Sequence, residues 1–405
     1  MAAEAVASSS PELSAEESIE LIKSNLAEIL NPEIIDQVIR CEKRRLKLYW
    51  GTATTGRPHC GYLVPMMKIA ELLAAGCQVK ILLADIHAYL DNMKAPMELV
   101  EYRAKYYEKV IKSLLTAIGV NIKQLEFVLG SSYQLSSAYT LDRFKLEGIT
   151  RINVAQKAGA EVVKQTDDPT LGGLIYPLMQ ALDEQYLDVD AQFGGVDQRK
   201  IFTFALENLP KIGYRVRAHL MNPMVPGLGE ATKMSASDED SKIDILDSPD
   251  RVQRKIKKAK CSPREVEANG LIAFVEHVIL RALAIKSPDH IPHFTIQRMD
   301  GLEPLVYTSI EQLKKDYAAD IVGPSLFIVH AFLYLPPLHF PIIQDLNLIL
   351  KTVRKEYEAD PEWQEIESRA YPVAVVEKKV KKPKSKGDPA KRAAALAAKK
   401  QREVI

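Results

Sequence analysis

Residues 49–73 read YWGTATTGRPHCGYLVPMMKIAELL: an apolar start, small residues, one arginine, one imidazole, then an apolar run of helical character. The small residues Thr52 to Gly56 let a ligand approach the backbone. A helix N-terminus after them offers unpaired N–H groups to phosphate, and His59 can donate to a phosphate oxygen. The flanking runs LKLYWG at 46–51 and QVKILLAD at 78–85 read as short buried strands, with Pro65 to Gly76 helical between them. Strand, helix and strand within about forty residues form a βαβ unit of a parallel sheet. The stretch reads as a nucleotide site or, taken alone, as an ordinary strand-to-helix turn with a surface histidine. Neither GxxxxGK[ST] nor GxGxxG occurs in the chain.

The chain has 405 residues, enough for one large domain and a smaller one, and shows no regular repeat. Lys plus Arg (54) balance Asp plus Glu (53), so net charge alone predicts no polyanionic partner. Four cysteines, Cys41, Cys60, Cys77 and Cys261, form no CxxC pair and follow no signal peptide, which points to a reducing, cytoplasmic setting. The most apolar stretch, LFIVHAFLYLPPLHFPII near 326–343, is broken by two prolines and two histidines and reads as buried rather than membrane-spanning.

Residues 1–12 read as a disordered start, and Ser14 with Glu17 opens a leading helix with a capping box in SAEESIELIKSNLAEIL. We expect a catalytic domain over 13–245, split by a mainly helical insertion at about 95–175, then a helical domain over 246–370. The tail 371–405 is basic and serves either as a nucleic-acid arm or for solubility. Within LIYPLMQALDEQYL, Tyr176, Gln180 and Asp183 share one helix face, adjacent to an apolar face of Ile175, Met179, Leu182 and Tyr186. Such a polar stripe is either solvated or meets a ligand. FGGVDQRK supplies Gly194 and Gly195 for close approach. RVQRKIKKAK at 251–260, with Arg254, Lys257 and Lys258, suits a phosphate backbone or is a solvated face. No metal-ligand cluster is present; His290 and His293 bracket a proline turn.

Together HCGY at 59–62 and KMSAS at 233–237 resemble the two signature motifs of class I aminoacyl-tRNA synthetases. YWGTATTG, ADIHAYLDNMKAP, AGAEVVKQ, YPLMQALDEQYLDVDAQFGGVDQRKIF and HLMNPMVPGL, in that order, extend the resemblance over most of residues 40–270 to the eukaryotic cytoplasmic and archaeal type of tyrosyl-tRNA synthetase. The resemblance implies an α/β, Rossmann-like parallel-sheet catalytic domain with a helical insertion and a mainly α-helical anticodon-binding domain. It implies ATP with Mg²⁺, L-tyrosine and tRNA(Tyr) as ligands, and a homodimer built on the helical insertion, in the cytoplasm and on no membrane. Tyr176, Gln180 and Gln198 would hold the substrate's amino group, and Asp183 with Tyr49 its phenolic hydroxyl. Gly51, Thr54, Gly195 and Asp197 would join His59, Gly61 and Lys233 around ATP, with Ser235 and Ser237 assisting Lys233 in catalysis. The chain departs from the class pattern at Cys60, Tyr62 and Ala236. It also lacks the family's His-Pro-Gly-Asp segment, reading VGPSLFIVHAFLYLPPLHFPIIQDL from Val322, so no anticodon-reading residue is assigned. The competing readings are a tryptophanyl-tRNA synthetase and a catalytically silent RNA-binding protein derived from a synthetase.

Overall fold

A computed structural model describes residues 13–163, 168–227, 242–267, 269–287, 289–298, 302–323, 328–329, 333–334 and 337–372. Its centre is a six-stranded sheet ordered β1-β6-β5-β2-β3-β4, from β1 (Glu28–Leu30), β2 (Lys47–Ala53), β3 (Gln78–Ala84), β4 (Leu125–Leu129), β5 (Ala191–Gly195) and β6 (Ala218–Asn222). The strands β2 to β6 pair in parallel, and β1 pairs antiparallel with β6. β2 and β3 are near-continuous apolar runs because helices cover both faces of a parallel sheet.

The chain runs outward from β2 through β3 to β4, then returns to the other side of β2 with β5 and β6. The strand order therefore reverses between β2 and β5. In open parallel sheets a crevice opens at the carboxyl ends of the strands at such a reversal, because successive connections leave on opposite faces. Both expected strands flanking the opening motif are present, with α2 (Leu63–Ala74) between them.

Two stretches fold differently from their sequence reading. The capping box of α1 (Ala15–Lys23) forms as expected: Ser14 Oγ accepts from Glu17 N at 3.2 Å, and Glu17 Oε2 accepts from Ser14 N at 2.8 Å. The helix stops at Lys23, however, because Ser24 is extended and Asn25 adopts φ +54°, and EIL becomes the edge strand β1. The region 95–175 holds α4 (Met97–Ala117), α5 (Ser137–Ile149) and α6 (Ile152–Ala158), and also contributes β4 to the sheet. One compact unit runs to Tyr371. Within it α10 (His339–Ala359) and α11 (Pro361–Ala370) pack on α4. Of the apolar stretch near 326–343, Ile328–Val329 and Leu333–Tyr334 form a two-stranded antiparallel ladder, and Pro341 and Ile342 are buried in α10. Among the described residues no helix is long and apolar enough to cross a membrane.

One buried ionic cluster ties early and late segments together. Lys68 is fully buried on α2, and its Nζ donates to Leu21 O (2.9 Å), Ser24 O (2.7 Å) and Glu71 Oε2 (3.1 Å). Glu71 Oε1 accepts from Arg281 Nε and Nη2 at 2.9 and 2.7 Å and from Asn25 Nδ2 at 2.9 Å. Deleting the shared carboxylate strands two buried cations. Glu71→Ala is expected to lower unfolding stability by about 3–5 kcal/mol. In urea titration, Glu101→Ala, which removes an exposed partner of Lys105, should leave the midpoint in place.

Candidate active site

The crevice at the strand reversal is a cavity of about 360 Å³. Its walls come from the end of β2 (Tyr49 to Ala53, with Thr55), from β5 (Gln192 to Gly195) and from one face of α7 (Leu171–Tyr186). Tyr176, Gln180 and Asp183 all line it, so the polar stripe faces a cavity rather than solvent. A second cavity of about 180 Å³ shares Trp50, Tyr62, Gly194 and Gly195 with the first and adds His59, Gly61, Asn222, Pro223, Met224 and Val225. The site is thus one crevice with two ends.

At the deep end Asp183 is fully buried. Its Oδ1 accepts from Gln134 Nε2 at 2.9 Å and from Tyr139 Oη at 3.0 Å, whereas Oδ2 has no hydrogen-bond partner among the described residues. Burial pushes its pKa up to about 7, against the lowering effect of its hydrogen-bond donors. His87 Nε2 lies 3.9 Å from Asp183 Oδ2 and also lacks a partner. The Gln134 amide nitrogen sits 3.5 Å from His87 Nδ1, which makes Nδ1 the acceptor and leaves the ring proton on Nε2. Burial drops the His87 pKa to about 4, so the ring is neutral at neutral pH. A buried acceptor and a buried donor thus stand with a gap between them that a hydroxyl group can close. Tyr49 is buried beside them, its Oη donating to Gln180 O at 3.3 Å.

The middle of the crevice carries a relay of amides. Gln180 Nε2 donates to Gln198 Oε1 at 3.1 Å, and Gln198 Nε2 donates to Asp197 Oδ1 at 3.1 Å. Glycine is required at 194 for space, since a Cβ there would meet the buried Phe202 ring at 2.9 Å, whereas one on Gly195 would meet Asp197 Oδ1 at 2.7 Å and push that carboxylate aside. The Tyr176 ring packs edge-on against His87, centroids 4.6 Å apart.

At the shallow end His59 caps a short turn, and its Nδ1 accepts from Gly61 N at 3.2 Å. Burial, then the nearby Lys242 charge, lowers the His59 pKa to about 4. The ring is therefore neutral at neutral pH with its proton on Nε2, a donor for an anionic oxygen. Gly51 lines the crevice; Thr54 is fully buried, with its hydroxyl unpaired among the described residues, and Thr52 and Thr55 form the wall instead. Lys233, Ser235 and Ser237 lie outside the described residues. Arg254, Lys257 and Lys258 are exposed on α9 (Pro249–Lys258), whose inner face buries Val252 and Ile256. Sequence reasoning missed Gln134, Tyr139 and His87, which reach Asp183 from three separate segments and carry no periodic signal of their own.

Residues 41–323 match the model of the family described as tRNA synthetases class I (W and Y), and the chain belongs to that family. On the tyrosine side of it, the chain is 54% identical over 374 residues to the cytoplasmic tyrosine–tRNA ligase of Saccharomyces cerevisiae, covering 92% of each chain. It is 51% identical over 362 residues to the cytoplasmic tyrosine–tRNA ligase of Danio rerio, covering 89% of this chain but 64% of that longer protein. Its structure resembles that of the Archaeoglobus fulgidus tyrosyl-tRNA synthetase complexed with L-tyrosine, with a TM-score of 0.73 at 35% identity over 85% of this chain and 99% of that one.

The raised Asp183 pKa has a stability consequence whose sign is fixed. The folded state holds this proton up to about pH 7, while the unfolded chain releases it near pH 4. Folding stability from this group is therefore present below pH 4 and lost as pH rises to 7. Asp183→Asn should raise the melting temperature more at pH 8 than at pH 5, read by thermal denaturation at both values.

Proposed function

We infer that this chain is a cytoplasmic tyrosine–tRNA ligase that uses ATP to form tyrosyl-adenylate and then esterifies tRNA(Tyr). The observation that carries the reading is the unpaired Asp183 Oδ2 at the closed end of the crevice, facing His87 Nε2 across 3.9 Å. A phenolic hydroxyl can donate to the first and accept from the second. Phenylalanine would leave both buried atoms unsatisfied, and an indole could supply a donor but no acceptor. Tyrosyl-tRNA synthetases are themselves the reference case for such rejection, at about 10⁵-fold.

The remaining roles follow the line of the crevice. Tyr176, Gln180 and Gln198 receive the amino group midway along it. The amino-acid carboxylate then points toward the His59 end and attacks the α-phosphorus of ATP, displacing pyrophosphate. Neutral His59 donates its Nε2 proton as a hydrogen bond to a phosphate oxygen as charge develops there. Gly51, Gly61, Gly195 and Asp197 form the nucleotide's surroundings, with Thr52 and Thr55 at the wall in place of the buried Thr54, and Lys233, assisted by Ser235 and Ser237, neutralises the departing phosphates. Among the described residues no group of three or more His, Cys, Asp or Glu side chains gathers to hold a metal. Mg²⁺ would enter on the nucleotide itself. The 3′-terminal ribose hydroxyl of the tRNA then attacks the aminoacyl carbonyl and releases AMP.

Two surface features support the macromolecular partners. The outer face of α9, with Arg254, Lys257 and Lys258, presents a cationic strip for tRNA phosphates in a helical anticodon-binding domain over 246–370. Leu135, Leu141, Phe144 and Ile152, on and beside α5, are 70%, 57%, 54% and 71% exposed. Apolar side chains so placed fit a homodimer interface.

Tyrosine alone among the twenty amino acids should support exchange of labelled pyrophosphate into ATP; exchange with tryptophan instead would overturn the reading. His59→Ala should lower the exchange kcat by about 10²–10³, with tyrosine affinity retained in equilibrium dialysis. Phe144→Glu should convert a dimer to a monomer in light scattering at micromolar concentration.

A further inference from the structure

In the segment Thr54–Pro58, between β2 and His59, the carbonyls of Thr55 and Gly56 are held by protein side chains. Thr55 O accepts from the Arg103 guanidinium. Gly56 O accepts two phenols, Tyr107 Oη at 2.6 Å and Tyr371 Oη at 2.9 Å. Arg57 pairs with Glu367, which also accepts from Tyr357 Oη. Arg103 and Tyr107 come from α4, but Glu367 and Tyr371 come from the end of α11, more than 300 residues along the chain from the loop they hold.

The anchor is built on three sides. The Tyr371 ring lies between two guanidinium groups, Arg57 Cζ and Arg103 Cζ, each 5.1 Å from its centroid. Arg103 Nε donates to Ala370 O at 3.1 Å, and the Tyr106 ring meets Tyr371 edge-on at 5.2 Å. Burial raises the Tyr371 pKa, so its hydroxyl keeps the proton that Gly56 O needs. Neither Glu367 nor Tyr371 lines either end of the crevice. Of the segments that form the site, they touch the loop that delivers His59 and Gly61.

We propose that Tyr371 and Glu367 are positioning residues for the nucleotide end of the site: the last turn of α11 latches Gly56 and Arg57 directly, and through Arg103 steadies Thr55, and so sets where His59 stands. The inference rests on the ligase reading for its assay. Its physical basis is general: an irregular loop holds a fixed geometry only where its backbone groups are paired, and here one of the three side-chain donors to its carbonyls, and the carboxylate that holds Arg57, come from the far end of the chain. The deep amino-acid end around Asp183, Gln180 and Tyr176 is walled by α7 and β5 and makes no contact with Glu367 or Tyr371. ATP use and tyrosine binding should therefore separate.

The test uses the full chain. Tyr371→Phe keeps the ring between the guanidinium groups and deletes only the donor to Gly56 O. Tyr371→Leu removes the stacking as well, and Glu367→Gln weakens the grip on Arg57. Arg369→Ala, on the same turn but bonded to Tyr102 and Glu365, is the control. In tyrosine-dependent pyrophosphate exchange, Tyr371→Phe should raise KM for ATP about three- to tenfold, the range of one neutral hydrogen bond. The tyrosine Kd, measured without ATP, should stay within about twofold, and Arg369→Ala should change neither. Unchanged KM for ATP and kcat in Tyr371→Phe would overturn the proposal. So would equal losses of ATP and tyrosine affinity, which would mark a general loosening. If the wild-type chain shows no exchange with tyrosine, the ligase reading itself fails. Calorimetric ATP binding to the same variants then still decides whether the latch acts on the nucleotide end.

Discussion

One carboxylate taken fully out of water sets the terms for the rest of the site. Asp183 could not be buried ionised without donors, because the net desolvation of a carboxylate costs several kcal/mol. Gln134 and Tyr139 supply two donors to one oxygen, and the other is left open. The residual penalty appears as the pKa near 7. Completing the shell with a further protein donor would stabilise the fold and close a place where, on the proposed reading, a hydroxyl is recognised. Specificity on that reading is a shortfall in hydrogen bonding.

That shortfall is usable only because the sheet opens beside it. The reversal of strand order between β2 and β5 leaves a crevice that no connection crosses, and α7 lies along it with Tyr176, Gln180 and Asp183 inward. Gly194 and Gly195 keep the floor low enough for Gln198 and Asp197 to reach in. A helix period of 3.6 residues then converts into distance along the crevice. Asp183 stands at the deep end, where the proposed reading puts the end of a side chain, Gln180 and Tyr176 stand about one and two turns away, and His59 lines the other end.

This geometry explains what could be read from residues alone. β2, α2 and β3 were legible because a strand buried on both faces is a continuous apolar run, and the helix between them has a sharp start. The stripe on α7 was legible because its three polar residues keep helical spacing. β1 was not, since LAEIL continues the helical pattern of α1 and only the backbone turn at Ser24 and Asn25 breaks it. Gln134 and His87 were not assigned because isolated polar residues on short helices show no period, and their role exists only where the helices meet. The grip on Gly56 O was out of reach for another reason: it recognises a carbonyl, which every residue carries.

The charges of the crevice complete the division of labour between its ends. Among the described residues, the walls hold Asp91, Asp183 and Asp197 but no lysine or arginine. Burial keeps His59 and His87 neutral at pH 7, and Lys242 approaches His59 closely enough to disfavour a second positive charge. Such walls suit an amino acid with a cationic amino group and a neutral side chain. They do not by themselves suit a triphosphate, whose charge must be met by cations that arrive with it or from another segment. Lys233 is the residue the motif at 233–237 offers for that purpose, and Mg²⁺ carried by the nucleotide is the other. On the proposed reading, selecting the amino acid is therefore the work of the acidic walls. Handling phosphate falls to the end of the crevice beside the loop that α4 and α11 hold.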